Sequence, residues 1–252
     1  MFHKFKNLIK LKKFPKSVEK HFAMSAREAP SLGVVSATDP NAVTLARDLL
    51  AAGEVIALPT DTVYGLACDA NNAQAIQKVY GIKGREEKKP VAICVAEIDD
   101  FQLWGCTEYL PREMLQQLLP GAVTLVVDKS PRLANPYLNP GIQRIGIRIP
   151  DAAFIRDISR AFRMPIALTS ANRSSEPSSL SVGEFQALWP QLGAVFDGGR
   201  LGVTETQRAA STVVNLYSDC TYSIKRRGVA MQETEAVLRK FNFNEDNNKE
   251  NM

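Results

Sequence analysis

Between residues 38 and 241, short apolar runs of strand length alternate with segments of helical period, and this alternation restricts the fold more than any other property of the chain. Strands are predicted at Glu54–Leu58, Val91–Val95, Ala122–Val127, Ile145–Ile149, Ile166–Thr169, Ala194–Phe196, Thr212–Leu216 and Tyr222–Lys225. Helices are predicted from Asp39-Pro40 through Leu50 with Gly53 closing, over Ala73–Tyr80 with Gly81 as the stop, and at Arg112–Leu119, Ala152–Phe162, Val182–Leu188 and Gln232–Phe241. A chain that interleaves the two must lay helices on the faces of a shared sheet. The expected class is α/β, a twisted and largely buried mixed sheet flanked by helices. With 45% hydrophobic and 23% charged residues over 252 positions, one such domain can close its own core. No apolar stretch reaches the roughly 18 to 20 residues of a membrane-spanning helix, so no transmembrane segment is expected.

The net charge of +4 is unevenly spread. Of 31 basic and 27 acidic side chains, seven lysines and one glutamate fall within residues 1–23, leaving 24 and 26 for the remainder. The body of the chain therefore carries no excess of positive charge for a phosphate backbone. Residues 1–30 form a leader with two readings: a mitochondrial presequence, or a disordered extension ahead of a second initiator at Met24. A cytoplasmic protein is expected, with the leader as the one feature that could redirect it. The asparagine- and acid-rich stretch 242–252 reads as a solvated, disordered tail. Cys68, Cys94, Cys106 and Cys220 show no C-x-x-C pairing and read as reduced thiols. The only histidines, His3 and His21, lie in the leader. A Ser-His-Asp triad, a Cys-His pair and a histidine-ligated metal are thus excluded from the domain, and no dedicated metal site is expected.

Neither a G-x-x-x-x-G-K-[ST] loop nor a G-x-G-x-x-G turn is present. Polar residues instead gather just past predicted strand ends, where open α/β sheets place ligands. Pro59-Thr60-Asp61-Thr62-Val63-Tyr64-Gly65-Leu66 packs three hydroxyls and a carboxylate into a turn. It could hold a small zwitterion, or simply satisfy its own backbone. Lys83-Gly84-Arg85-Glu86-Glu87-Lys88-Lys89-Pro90 is read as a cationic loop, suited to triphosphate oxygens or to solvent. Thr169-Ser170-Ala171-Asn172-Arg173-Ser174-Ser175-Glu176-Pro177-Ser178 offers small donors beside a buried strand end, or is an ordinary serine-rich loop. Arg144 and Arg148, four apart on a strand, point to one face and need anionic partners, either a ligand or structural carboxylates. Ser211-Thr212-Val213 and Arg226-Arg227-Gly228 complete the set.

Together these segments resemble the YrdC family of threonylcarbamoyl-adenylate synthases. The resemblance rests on Pro59–Leu66, Lys83-Gly-Arg85, Leu119-Pro-Gly-Ala-Val-Thr-Leu125, Ile145-Gly-Ile-Arg-Ile-Pro150, Ser170-Ala-Asn172, Ser211-Thr212 and Arg226-Arg-Gly228, in the family's order and spacing. It implies a YrdC-like fold over 38–241 with a concave cationic cavity, in the short form without an extra carboxy-terminal domain. The implied reaction is a nucleotidyl transfer in which L-threonine, bicarbonate or CO2, and ATP give threonylcarbamoyl-AMP and pyrophosphate. The product would feed a transferase that modifies the adenosine beside the tRNA anticodon. By the same resemblance Lys83, Arg85, Ser170 and Asn172 are the catalytic tetrad at the ATP phosphates. Lys89, Arg144, Ser178 and Arg226 complete the ATP site. Thr60, Thr62, Tyr64, Cys94, Arg148 and Ser211 surround threonine. Many members carry a histidine at the position of Cys94. Mg²⁺ would arrive with ATP as a substrate-borne ion, and no tightly bound cofactor is implied. The competing reading is a module that binds tRNA or double-stranded RNA without chemistry of its own.

Overall fold

The computed structural model describes residues 33–84, 90–202, 204 and 208–249. The leader, Arg85 and Lys89 lie outside the described residues. In chain order the strands are β1 (Val34–Ser36), β2 (Ile56–Leu58), β3 (Gly65–Asp69), β4 (Ala92–Cys94), β5 (Gly105–Cys106), β6 (Val123–Lys129), β7 (Arg144–Arg148), β8 (Ile166–Ser170), β9 (Ala194–Asp197), β10 (Thr212–Leu216), β11 (Thr221–Arg226) and β12 (Asn244–Glu245). The helices are α1 (Ala42–Ala51), α2 (Ala73–Lys83), α3 (Ile98–Trp104), α4 (Arg112–Leu118), α5 (Ala153–Phe162) and α6 (Met231–Lys240). The strands form one mixed sheet in the order β1-β9-β2-β3-β8-β4-β7-β6-β10-β11-β12, with β5 added on β6. Among the described residues no helix is long and apolar enough to cross a membrane.

Alternation along the strands divides the sheet into two faces. Ala57, Leu66, Ile93, Ala167, Leu125, Ile147 and Val214 point to one face, in a continuous core with Ile76 and Val79 of α2, Met114 and Leu115 of α4, and Leu238 of α6. Ile56, Leu58, Ala67, Cys94, Ile166, Leu168 and Phe196 point to the other, under Ala42, Ala46 and Leu50 of α1 and Ile155 and Ile158 of α5. This second cover reaches only across β9, β2, β3, β8 and the end of β4. Beyond it, over β7, β6 and β10, no helix among the described residues covers the same face. There the side chains change from Ile and Leu to Gly146, Thr124, Asn215 and two arginines.

Several predicted elements are displaced, each for a physical reason. Asp39 and Pro40 form a turn in which the Asp39 carboxylate accepts from Asn41 N–H, so the first helix begins at Ala42. The second helix runs past Gly81 to Lys83, because the left-handed residue that ends it is Gly84 at φ 56°. Lys83 is therefore a helical, buried side chain and not part of a loop. The segment 182–188 is 3-10 in character, extends to Gln191 and is kinked at Phe185. β3 and α3 were not predicted. The solvated tail expected from residue 242 is corrected as far as Lys249: Phe243 is buried, Asn244 and Glu245 pair with Thr221 and Tyr222, and Lys249 binds Thr221 Oγ1 at 2.8 Å. One apolar anchor and a short strand edge outweigh the polar composition there.

Gly228, just past β11, is held against the Ser211–Thr212 backbone. A Cβ would lie 2.3 Å from Ala210 O, Ser211 C and Thr212 N. Gly228→Ala is expected to cost about 2–3 kcal/mol by forcing these backbones apart. Denaturant midpoints at unchanged m measure it.

Candidate active site

The uncovered part of the second face floors a cavity of about 850 Å³, within the range of small-molecule sites. Ala92, Gly146, Thr124, Val126, Val213 and Asn215 line it from four strands. Gly146 keeps the floor low, since a Cβ there would stand 2.9 Å from Thr124 Cγ2. Lys83, Arg144, Arg148, Lys225 and Arg226 stand around this floor, and no carboxylate is among the described lining residues. Five cations in a concave, partly apolar setting focus a positive potential suited to an anionic ligand.

Lys83 arrives from the carboxy-terminal turn of α2, where the helix dipole favours a cation. Its ammonium donates to Ser170 O at 2.5 Å and Asn172 O at 2.8 Å, with Ser170 Oγ and Asn172 Oδ1 at 3.5 and 3.4 Å. The Asn172 amide in turn donates to Arg173 O and Glu176 O at 2.8 and 2.7 Å, and Ser174 N–H donates to Lys83 O at 2.9 Å. Lys83 and the Ser170–Asn172 segment, 87 residues apart in sequence, thus form one hydrogen-bonded unit on the cavity wall. Ser174 and Ser175 line the cavity beside them.

Arg148 lies at the boundary between the helix-covered and open parts of the face. It is only 6% exposed and pairs with Asp61, itself in the turn after β2, while Nη2 donates to Thr62 Oγ1 at 3.2 Å. Its Nε is buried without a partner. Burial lowers the guanidinium pKa, and the Asp61 carboxylate partly restores it. Thr60 Oγ1 accepts from Thr62 N–H at 3.1 Å and donates to Val63 O at 2.7 Å, so this turn does satisfy its own backbone as well as supply a carboxylate. Arg226 reaches the same region from β11, donating to Ser211 O at 3.0 Å and Ser211 Oγ at 3.1 Å, and Ser211 Oγ bonds Thr124 Oγ1 at 2.8 Å. Burial lowers the Arg226 pKa first, and the Arg148 charge lowers it further. Arg148 is buried and Arg226 is solvent-exposed, and two guanidiniums that repel each other are a receptor for a shared anion.

Arg144, also on the wall, donates to Val126 O at 2.8 Å, Leu216 O at 2.7 Å and Asp128 at 3.2 Å. Both strand arginines therefore have carboxylate partners in the protein, Asp128 for one and Asp61 for the other.

The structure brings together Thr60, Tyr64, Lys83, Arg144, Arg148, Ser170, Asn172, Ser211 and Arg226 along one cavity. Thr62 stands behind Arg148. Tyr64 borders the cavity, but its hydroxyl donates to Gly199 O at 2.6 Å and accepts from Gly198 N–H. Ser178 is not on the wall, and its carbonyl accepts from Arg208 at 2.9 Å. Cys94 is corrected as a contact residue: it shares the cavity's face of the sheet, but α5 covers it completely. Its Sγ lies 3.7 Å from Ser159 Oγ, and burial pushes the thiol up to about 12. Residues not predicted for the site are Thr124, Asn215 and Lys225 on the wall, while Asp61, the carboxylate of the predicted turn, stands behind Arg148 as its partner. Period 2 along β6 and β10 would have found the first two, which alternate with buried Leu125, Val214 and Leu216.

The Sua5_yciO_yrdC family model, described as "Telomere recombination", matches residues 48–228. The chain is 46% identical over 217 residues to a protein of Homo sapiens named threonylcarbamoyl-AMP synthase, covering 83% of this chain and 77% of that one. It is 50% identical over 191 residues to the protein of the same name from Rattus norvegicus, covering 75% of this chain and 68% of that one. The solved structure of P. abyssi Sua5 complexed with L-threonine shares the fold at a TM-score of 0.73 and 24% identity, over 85% of this chain and 62% of that chain.

Proposed function

The chain belongs to the Sua5/YciO/YrdC family, and from that premise we propose that it is a threonylcarbamoyl-AMP synthase. The observation that carries the proposal is the convergence of Lys83, Ser170 and Asn172 with Arg148, Ser211 and Arg226 on one cavity that has no carboxylate among its described lining residues and is large enough for two ligands side by side. The mammalian relatives carry this activity in their names, and the P. abyssi neighbour was solved with L-threonine.

The chemistry asks for positioning and charge more than for a proton shuttle. The threonine amine adds to CO2 and gives up an N–H proton to solvent, or condenses with bicarbonate as water leaves, to give a carbamate. A carbamate oxygen attacks the α-phosphorus of ATP as the bond to the bridging oxygen of the β-phosphate breaks, and pyrophosphate departs with the electron pair. Carbamate and triphosphate are both anions, so the barrier includes their repulsion. We assign Lys83, Ser170, Asn172, Arg144 and Arg226 to the phosphates, with Arg85 and Lys89 from the adjoining segment. We assign Arg148 to the threonine carboxylate, with Thr60, Thr62 and Ser211 near it. Fixed cations in a partly dry cavity offset the repulsion without reorganising, and holding both reactants in line supplies the remaining rate advantage. Mg²⁺ would come with the triphosphate. A tRNA threonylcarbamoyl transferase would consume the adenylate, and the leader would govern delivery to mitochondria.

The test is mass spectrometry of the product made by the purified full-length chain from ATP, threonine and bicarbonate. Threonylcarbamoyl-AMP and pyrophosphate are expected only when all three are present. ATP turnover indifferent to threonine, or salt-sensitive RNA binding without turnover, would overturn the proposal.

A further inference from the structure

Tyr217 lies just past β10, in the turn to β11, and is not on the cavity wall. Its ring nevertheless carries a wall residue: the Arg144 guanidinium sits 4.6 Å from the ring centroid. All three hydrogen bonds of that guanidinium leave from its Nη atoms, and its Nε is buried without a partner. The Tyr217 ring adds a further contact that restrains the group alongside those hydrogen bonds. The Leu216 carbonyl that holds Nη2 at 2.7 Å also accepts from Tyr109 at 2.9 Å, so the adjoining backbone is itself pinned.

The ring has a second set of contacts, with the carboxy-terminal segment. Tyr217 OH donates to Lys249 O at 3.1 Å and lies 3.3 Å from Ser223 Oγ, while the Lys249 ammonium is 4.8 Å from the same ring centroid. Lys249 is tied down by Asp219 and by Thr221 Oγ1, and β12 is tied down by its pairing with β11. Segments near residues 144, 217 and 249 thus meet on one aromatic ring at the cavity's rim.

We propose that Tyr217 is a positioning residue for nucleotide binding: its ring, anchored from behind by the docked segment Asn244–Lys249, orients Arg144 toward the phosphates. This rests on the reading of the cavity as an ATP site. A guanidinium delivers directed hydrogen bonds only when its plane is fixed. An aromatic face fixes it without competing for the Nη donors, and such contacts are worth a measurable part of a binding energy.

The experiment is calorimetric titration of the full-length chain with MgATP, in parallel with steady-state kinetics and thermal melting. Tyr217→Leu is expected to weaken ATP binding about five- to thirty-fold, to raise KM for ATP similarly, and to move KM for threonine less than twofold. Tyr217→Phe keeps the ring and is expected to recover most of that loss. Arg144→Lys combined with Tyr217→Leu should be clearly less than additive, because both remove the same oriented group. A general packing role would instead lower the melting temperature and shift both KM values together. If the parent protein binds ATP and Tyr217→Leu binds it equally well, or if the two substitutions are additive, the positioning role is wrong. If the parent binds no ATP at all, the reading of the cavity fails, and this inference fails with it.

Discussion

Replacing Lys83 by alanine should lower threonine-dependent pyrophosphate release about 10²- to 10³-fold, the effect expected from deleting one preorganised charge at a site of developing negative charge. The ammonium does two jobs, because it also gathers Ser170 O and Asn172 O onto one point at 2.5 and 2.8 Å. Alanine removes the lysine's bond to Asn172 O and leaves Ser170 O with the Asn172 N–H at 3.0 Å, so a stability loss of about 1–3 kcal/mol should accompany the kinetic one. The two effects separate in the Asn172→Ala variant. It spares the lysine charge but removes the amide that folds residues 172–176 through Arg173 O and Glu176 O. That variant should lose stability comparably and turnover much less. Steady-state rates and denaturant midpoints on both proteins test the assignment, and a Lys83→Ala enzyme within threefold of parental turnover would refute it.

The second large effect concerns Arg148 and Asp61. Arg148 is buried and Asp61 nearly so, at 7% and 11% side-chain exposure. Arg148→Met strands a carboxylate beneath the sheet and should cost about 3–5 kcal/mol. Adding Asp61→Asn removes that stranded charge, so the double variant should regain most of the lost stability. It should still bind threonine poorly, with KM raised at least about tenfold, because a charge-assisted pair to the substrate carboxylate has gone. Chemical denaturation of the four proteins in the cycle, with threonine titrations, separates a structural ion pair from one that also serves the ligand. Restored affinity in the double variant would reduce Arg148 to scaffolding.

Much of this site was legible because period 2 is a strict rule. Arg144 and Arg148 share a face of β7 as their spacing demands, and Ile145 and Ile147 between them fill the opposite core. β3 was missed because Leu66, Ala67 and Cys68 are buried on both faces, which erases the alternation that marks a half-exposed strand. Gly81 reads in the sequence as the helix stop, but a glycine ends a helix only where it turns left-handed. Only Gly84 adopts the left-handed conformation, and buried Ile82 and Lys83 carry the helix onward. Cys94 could not be placed from sequence alone. Whether a residue facing the right side of a sheet meets ligand or a covering helix depends on where α5 stops, which is a tertiary matter. Tyr217 and Lys249 escape a sequence reading for the same reason, since their contacts, a hydroxyl-to-carbonyl bond and an ammonium over a ring, span 32 residues.

The interleaved strand order has a consequence for biosynthesis. β10 inserts parallel to β6, and β11 follows as a hairpin, so Ser211, Val213, Asn215, Lys225 and Arg226 complete a basin begun by residues near position 60. A nascent chain halted before Ala210 would expose the first strands of that basin with one bank absent, and the proposed nucleotide site would be incomplete. Competence therefore emerges abruptly and late in translation, and bound substrate can act as a chaperone only for chains already threaded through to their final hairpin.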